Sequence, residues 1–129
     1  MTPELTVLAL AALLQFIQFC GYSLSATLQV GVKVTAGSRD KPITLTGSTG
    51  RQQRAFANHF EALTLFTIAV LVVTLGDQST GFTAACAWVF LAARLLYVPA
   101  YIFGLVPWRS IIWFVGVLAT VAMLISALI

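Results

Sequence analysis

The amino-acid sequence predicts an all-α membrane protein, an up-down bundle of four transmembrane helices. Three observations lead there. Of its 129 residues 60% are hydrophobic and 9% charged, whereas about a quarter of the residues of a soluble domain are charged. The apolar residues fall in four runs, each long enough at about 1.5 Å per residue to cross a hydrocarbon layer of about 30 Å. Lys and Arg side chains gather at alternate connections, the distribution that sets orientation in multi-span chains. Four spans of roughly 20 to 25 residues use up the chain. A separate soluble catalytic domain is thereby excluded, and residues 1–129 form one membrane domain.

The spans are expected at about residues 4–32, 53–75, 80–103 and 107–129, on apolar length and periodicity. Between the first two lies the one sizeable loop, residues 33–51, where Gly37, Pro42, Gly47 and Gly50 act as breakers. The segments Gly76 to Ser79 and Gly104 to Pro107 are tight turns, so the helices they join are expected to be antiparallel neighbours. Lys33, Arg39, Lys41, Arg51 and Arg54 cluster at the first connection and Arg109 at the third, while the second connection and both termini carry no Lys or Arg side chain. Both basic ends are therefore expected in the cytoplasm, and both termini on the periplasmic or lumenal side. The first run is too long for a signal-peptide core and has no basic flank, so cleavage is not expected. Membrane topology accounts for the net charge of +3, and no nucleic-acid motif or phosphate-binding glycine loop accompanies it.

Polar groups inside spans are costly and so informative. Cys20 and Cys86 sit in different spans without metal-type spacing and read as small apolar fillers. The single histidine, His59, has no ligand-spaced partner and reads as an interfacial polar residue, so no metal site is expected. At 100° per residue, Arg51, Arg54, Asn58 and Glu61 share an arc of about 80° on the second span. Gln15, Gln18, Tyr22, Ser25, Gln29 and Lys33 share about 80° on the first, and Arg94, Tyr97 and Tyr101 about 60° on the third. Lipid tails cannot satisfy such stripes, which should face one another or another subunit. The glutamines and Ser25 are expected to act as interhelical glue. Glu61 and Arg94 lie at comparable depths and are expected to form a buried ion pair. Arg51, Arg54 and Arg109 lack enough nearby carboxylates. Two accounts of that surplus stand side by side: an anionic, water-soluble ligand, or topology and lipid headgroups.

The segment Arg51-Gln52-Gln53-Arg54-Ala55-Phe56-Ala57-Asn58-His59-Phe60-Glu61 resembles the R-x-x-R-A-x-x-N-x-x-E signature of the MAPEG superfamily, the membrane-associated proteins of eicosanoid and glutathione metabolism. Arg94-Leu95-Leu96-Tyr97, Ala100-Tyr101 and Arg109-Ser110 are similar to the family's later R-x-x-Y, A-Y and R-S elements, in the same order. The resemblance implies a homotrimer in contact with membrane lipid, with glutathione as co-substrate between neighbouring subunits. It implies substrate binding by Arg51, Arg54, Asn58, Glu61, Arg94 and Tyr97, and catalytic roles for Arg109, as the thiolate-stabilising residue, and Tyr101. The implied activity is that of a membrane-embedded glutathione transferase, or peroxidase, acting on hydrophobic small molecules and serving detoxification.

The physical chemistry is compatible: a free thiol titrates near pH ~8.5, and an adjacent guanidinium favours the nucleophilic thiolate. The chain departs from the pattern at the end of the first span, where glutathione-using members carry an arginine and this chain has Lys33, a poorer bidentate clamp. Phe56, Ala57 and Ala62 also replace polar side chains found in some of the family's enzymes. A second reading is therefore a non-catalytic scaffold that binds a lipid or partner protein in the same groove. A small multidrug-type transporter ranks third, because it needs an acid within the first span and Glu4 lies at that span's end.

Overall fold

The computed structural model describes residues 1–129 and contains five helices and no strand: α1 (Pro3–Val30), α2 (Val32–Thr35), α3 (Gly47–Leu75), α4 (Gly81–Ile102) and α5 (Trp108–Leu128). Four of them, α1, α3, α4 and α5, are long and apolar enough to cross a membrane. Thr2 caps α1 by accepting a hydrogen bond from the Leu5 amide, Pro3 occupies the first turn where its missing donor costs nothing, and Glu4 faces the positive end of the helix dipole. Gly31 ends the helix with φ 92°, a conformation that disfavours any side chain, so the expected continuation to residue 32 breaks into α1 and the single turn of α2.

The second span starts earlier than its apolar run, at Gly47 rather than near residue 53. Gly50 does not break the helix. A Cβ there would stand 2.8 Å from the Leu45 carbonyl oxygen, so glycine lets the incoming chain fold back against the first turn. Arg51 is consequently helical rather than part of the loop, as Arg54 is. The third span opens with a reciprocal cap, in which the Thr80 amide donates to Thr83 Oγ1 at 2.8 Å and the Thr83 amide to Thr80 Oγ1 at 3.2 Å. Pro99 lies inside α4, one turn before its end.

The apolar core lies between the N-terminal halves of α1 and α4 and the C-terminal halves of α3 and α5, in the half of the bundle away from Arg51. The Phe66 and Phe90 rings stack with centroids 4.0 Å apart, beneath Val7, Ala11, Val70 and Met123, all fully buried. Gly116 lets α5 approach α4, since a Cβ there would meet Ala93 Cβ at 3.4 Å. In a bilayer there is no hydrophobic drive between helices, so close contact at such small residues supplies the packing energy. Leu13, Phe16, Ile17, Leu24 and Trp88 project outward from the bundle as exposed apolar surface.

Candidate functional site

The site is built where α3 begins, α4 ends and α5 begins, hereafter the arginine end. Helical spacing puts Arg51, Arg54 and Asn58 on one side of α3 and Arg94, Tyr97 and Tyr101 on one side of α4, and these two stripes meet. Arg51 Nε donates to the Ile102 carbonyl oxygen at 2.6 Å, a cation on the last turn of a helix where free carbonyls and the dipole welcome it. Arg54 Nε donates to Tyr101 Oη at 3.1 Å. The Arg109 guanidinium, on the second residue of α5, lies 4.8 Å from the Tyr101 ring centroid, and its Nε is buried without a partner. The Tyr97 and Tyr101 rings are 5.6 Å apart. Asn58, Tyr97, Tyr101, Arg109, Ser110 and Trp113 line a cleft of about 290 Å³.

Arg94 stands behind this cleft, only 2% exposed. Its expected ion pair with Glu61 does not form. Arg94 Nη1 instead donates to Asn58 Oδ1 at 2.9 Å and Nε to His59 Nδ1 at 3.1 Å, while its guanidinium sits 4.3 Å from the Tyr97 ring centroid. Depth along the helix places Glu61 well, but direction around it does not: Asn58 and His59 point to either side of Arg94, and Glu61 lies about 60° beyond Asn58 on the far side. Glu61 is exposed. A buried cation is thus held by neutral acceptors and a ring face, with Nη2 left unpartnered.

His59 is the residue that sequence reasoning misplaced. It is fully buried rather than interfacial, and its Nε2 lies 2.9 Å from the Ala11 carbonyl oxygen. Since Nδ1 accepts from Arg94, Nε2 carries the proton and donates to Ala11, so a chain of hydrogen bonds runs from Asn58 through Arg94 and His59 to α1. The available signal was positional: Ala55, His59, Phe66, Ala69 and Val73 are buried at helical spacing along one seam of α3, and a polar residue in that seam needs partners. Trp113, one turn after Arg109 on α5, was also not anticipated as a wall of the cleft.

The polar stripe of α1 does not join this site. Ser25 Oγ hydrogen-bonds Thr49 Oγ1, and Gln29 exchanges two bonds with the Thr46 backbone at 3.2 and 3.0 Å, as interhelical glue should. The Gln15 and Gln18 amides have no partner, contrary to that expectation. Tyr22 stacks on Phe56, and Lys33 is exposed on α2.

Taken as chemistry, the arginine end offers guanidiniums from Arg51, Arg54 and Arg109, phenols from Tyr97 and Tyr101, and one exposed carboxylate, Glu61. Such a set suits an anion with a cationic group of its own. The fold and cleft define a helical membrane protein of four candidate spans with an arginine- and tyrosine-lined site at one end of the bundle. The MAPEG family model matches residues 6–129, and the chain belongs to that family. No curated protein and no solved structure gives a significant match.

Proposed function

We propose that the protein is a membrane-embedded glutathione transferase that joins the glutathione thiolate to lipophilic electrophiles, working as a homotrimer of up-down four-span subunits. The observation that carries this is the cleft in which Arg109 and Tyr101 meet Asn58 and Tyr97, within reach of Arg54. MAPEG membership supports a glutathione-linked function in general. In this reading Arg51, Arg54 and Asn58 hold the carboxylates and backbone of glutathione, and Glu61 holds its amino group. Arg94 and Tyr97 form the back wall. The Arg109 Nε, unpaired and buried, has a free donor for a sulfur anion. Tyr101, between Arg54 and Arg109, accepts from Arg54 Nε and keeps its own hydroxyl proton for a ligand in the cleft.

The reaction follows from these roles. The thiol proton leaves to solvent, the thiolate attacks the electrophilic carbon, a carbon–sulfur bond forms, and the leaving group departs with its bonding pair. Holding both reactants supplies much of the acceleration. The electrophile reaches the cleft from the hydrocarbon layer, past the exposed apolar surface of α5 that includes Ile111 and Phe114. The arginine end faces the cytoplasm, with residues 33–51 on that side and both termini opposite.

Titration calorimetry of the detergent-solubilised protein with glutathione, followed by conjugation of a generic aryl halide, tests the proposal. Binding with turnover is expected, and absent glutathione affinity overturns it. A non-catalytic scaffold is the second reading, favoured by one feature: the last turn of α1 presents no arginine, its Gln29 amide being committed to Thr46. Glutathione binding without turnover of any electrophile would favour it. The transporter reading keeps no acid in mid-span on α1, where Glu4 occupies the first turn and accepts hydroxyl hydrogen bonds from Ser79 and Thr83.

A further inference from the structure

The buried chain of hydrogen bonds behind the cleft has a fixed direction, because its central member can only donate. A guanidinium carries N–H donors and no acceptor. Arg94 Nη1 therefore meets an oxygen, Asn58 Oδ1, at 2.9 Å, and Nε meets an imidazole nitrogen without a proton, His59 Nδ1, at 3.1 Å. The other imidazole nitrogen carries the proton and ends the chain on the Ala11 carbonyl oxygen. These two bonds and the Tyr97 ring face, 4.3 Å away, hold the guanidinium in one orientation.

That direction is passed on to the cleft. Asn58 lines it, and with Oδ1 engaged by Arg94 the amide nitrogen is the polar atom that remains, accessible and without a partner in the chain. A flip of the amide would set its N–H groups against a buried guanidinium, donor against donor. The neighbouring wall has the same polarity, since Tyr101 Oη accepts from Arg54 Nε and keeps its own proton. No carboxylate lines the cleft.

We propose that His59 is a positioning residue: acting through Arg94, it holds the Asn58 amide with its nitrogen toward the cleft, so that this wall selects a carbonyl or carboxylate oxygen of the ligand over an ammonium group. Resting on the glutathione reading, this gives Asn58 an oxygen of that peptide and leaves the amino group to Glu61. His59 touches no ligand. It supplies the acceptor for a buried donor, Arg94 Nε, without which the guanidinium turns toward another acceptor and Asn58 loses its partner.

Three variants separate positioning from packing. Asn58→Asp keeps an oxygen for Arg94 but changes the cleft-facing atom from a donor to an anionic acceptor, so the fold should persist while glutathione affinity falls about a hundredfold. His59→Leu removes both the acceptor for Arg94 and the tie to Ala11. Its KM for glutathione should rise about tenfold, with the loss in KM rather than in kcat. His59→Asn puts Oδ1 where the imidazole Nδ1 stood and gives up only the bond to Ala11, so it should melt below the parent yet keep the parent's KM. A merely structural histidine would lower stability in both variants and leave their KM values alike.

Nitrogen NMR of protein labelled at histidine reads the tautomer directly, because His59 is the single histidine. One imidazole protonated at Nε2 and bare at Nδ1 is expected. A ring protonated at Nδ1 overturns the proposal without reference to any ligand. So do equal KM values in His59→Leu and His59→Asn. Where His59→Leu does not fold, the NMR and Asn58→Asp decide. Absence of glutathione binding in the parent overturns the glutathione reading and with it the assignment of Asn58, whereas binding that Asn58→Asp leaves unchanged overturns the assignment alone.

Discussion

At one end of the bundle a single carboxylate, Glu4, is fully buried and accepts hydroxyl hydrogen bonds on both oxygens, from Ser79 at 2.9 and 3.0 Å and from Thr83. At the other, Arg94 and Arg109 each keep a buried nitrogen without a partner. Glu4 also sits on the positive pole of α1, and Thr83 belongs to the cap of α4, so every element around that charge already had a structural task. Arg109, in contrast, borders about 290 Å³ of open space, and Arg94 stands behind it. A charge sealed by hydroxyls from its own chain ties helices together. A charge left with free donors beside a cleft retains capacity for a ligand.

This contrast is sharpest at Arg94, which shares features of both ends. Arg94→Ala removes the bonds to Asn58 and His59 and strands a buried imidazole, and should destabilise the protein by about 3 kcal/mol. Denaturant titration in micelles would show it, and a loss below about 1 kcal/mol would move Arg94 from the frame to the ligand site. Arg109→Ala should do the reverse. If it faces the thiolate as proposed, its loss should lower kcat for conjugation about a hundredfold, or ~2.7 kcal/mol, with little change in unfolding midpoint. A parallel loss of stability would erase the distinction drawn between the two arginines.

Smaller effects test the sealed end. Glu4→Ala leaves the Ser79 hydroxyl without its acceptor and should cost about 2 kcal/mol of stability while glutathione affinity stays as in the parent. A change in that affinity would show the two ends to be coupled. The smallest effect is expected from Glu61→Gln, which should alter stability by about 0.5 kcal/mol or less because the exposed carboxylate has no ion pair to lose. Its effect should fall on the KM for glutathione instead. A large drop in melting temperature would restore the ion pair with Arg94.

The four spans were legible because apolar length is a one-dimensional property that the bilayer reads in the same way. The start of α3 was not: Gly50 looks like a breaker in sequence, and only the approach of the Leu45 carbonyl shows it serving a helix. Within the site, Arg51, Arg54, Asn58, Tyr97 and Tyr101 were legible as stripes, since helical periodicity fixes direction within a single helix. Pairings between helices depend on rotation about each axis, which no depth estimate contains. That is why Glu61 was assigned to Arg94 and why His59, alone of its type, was set at the interface instead of in the seam. Gln18 was expected to be bonded because it shares a stripe with Ser25 and Gln29, yet those two meet the start of α3 and the Gln18 amide is buried without a partner.

The two bonds between Gln29 and the Thr46 backbone, with Ser25 on Thr49, fasten the last turns of α1 directly to the entrance of α3. The chain between them, from Gly37 to Ile43, is therefore a detour whose ends are fixed by other means. Its length and composition are free to drift without shifting Arg51 or Arg54, so connectivity and site geometry are under separate control. The same anchoring makes Thr46, rather than any basic residue of the loop, the hinge point through which a pull on the connector would reach the arginines.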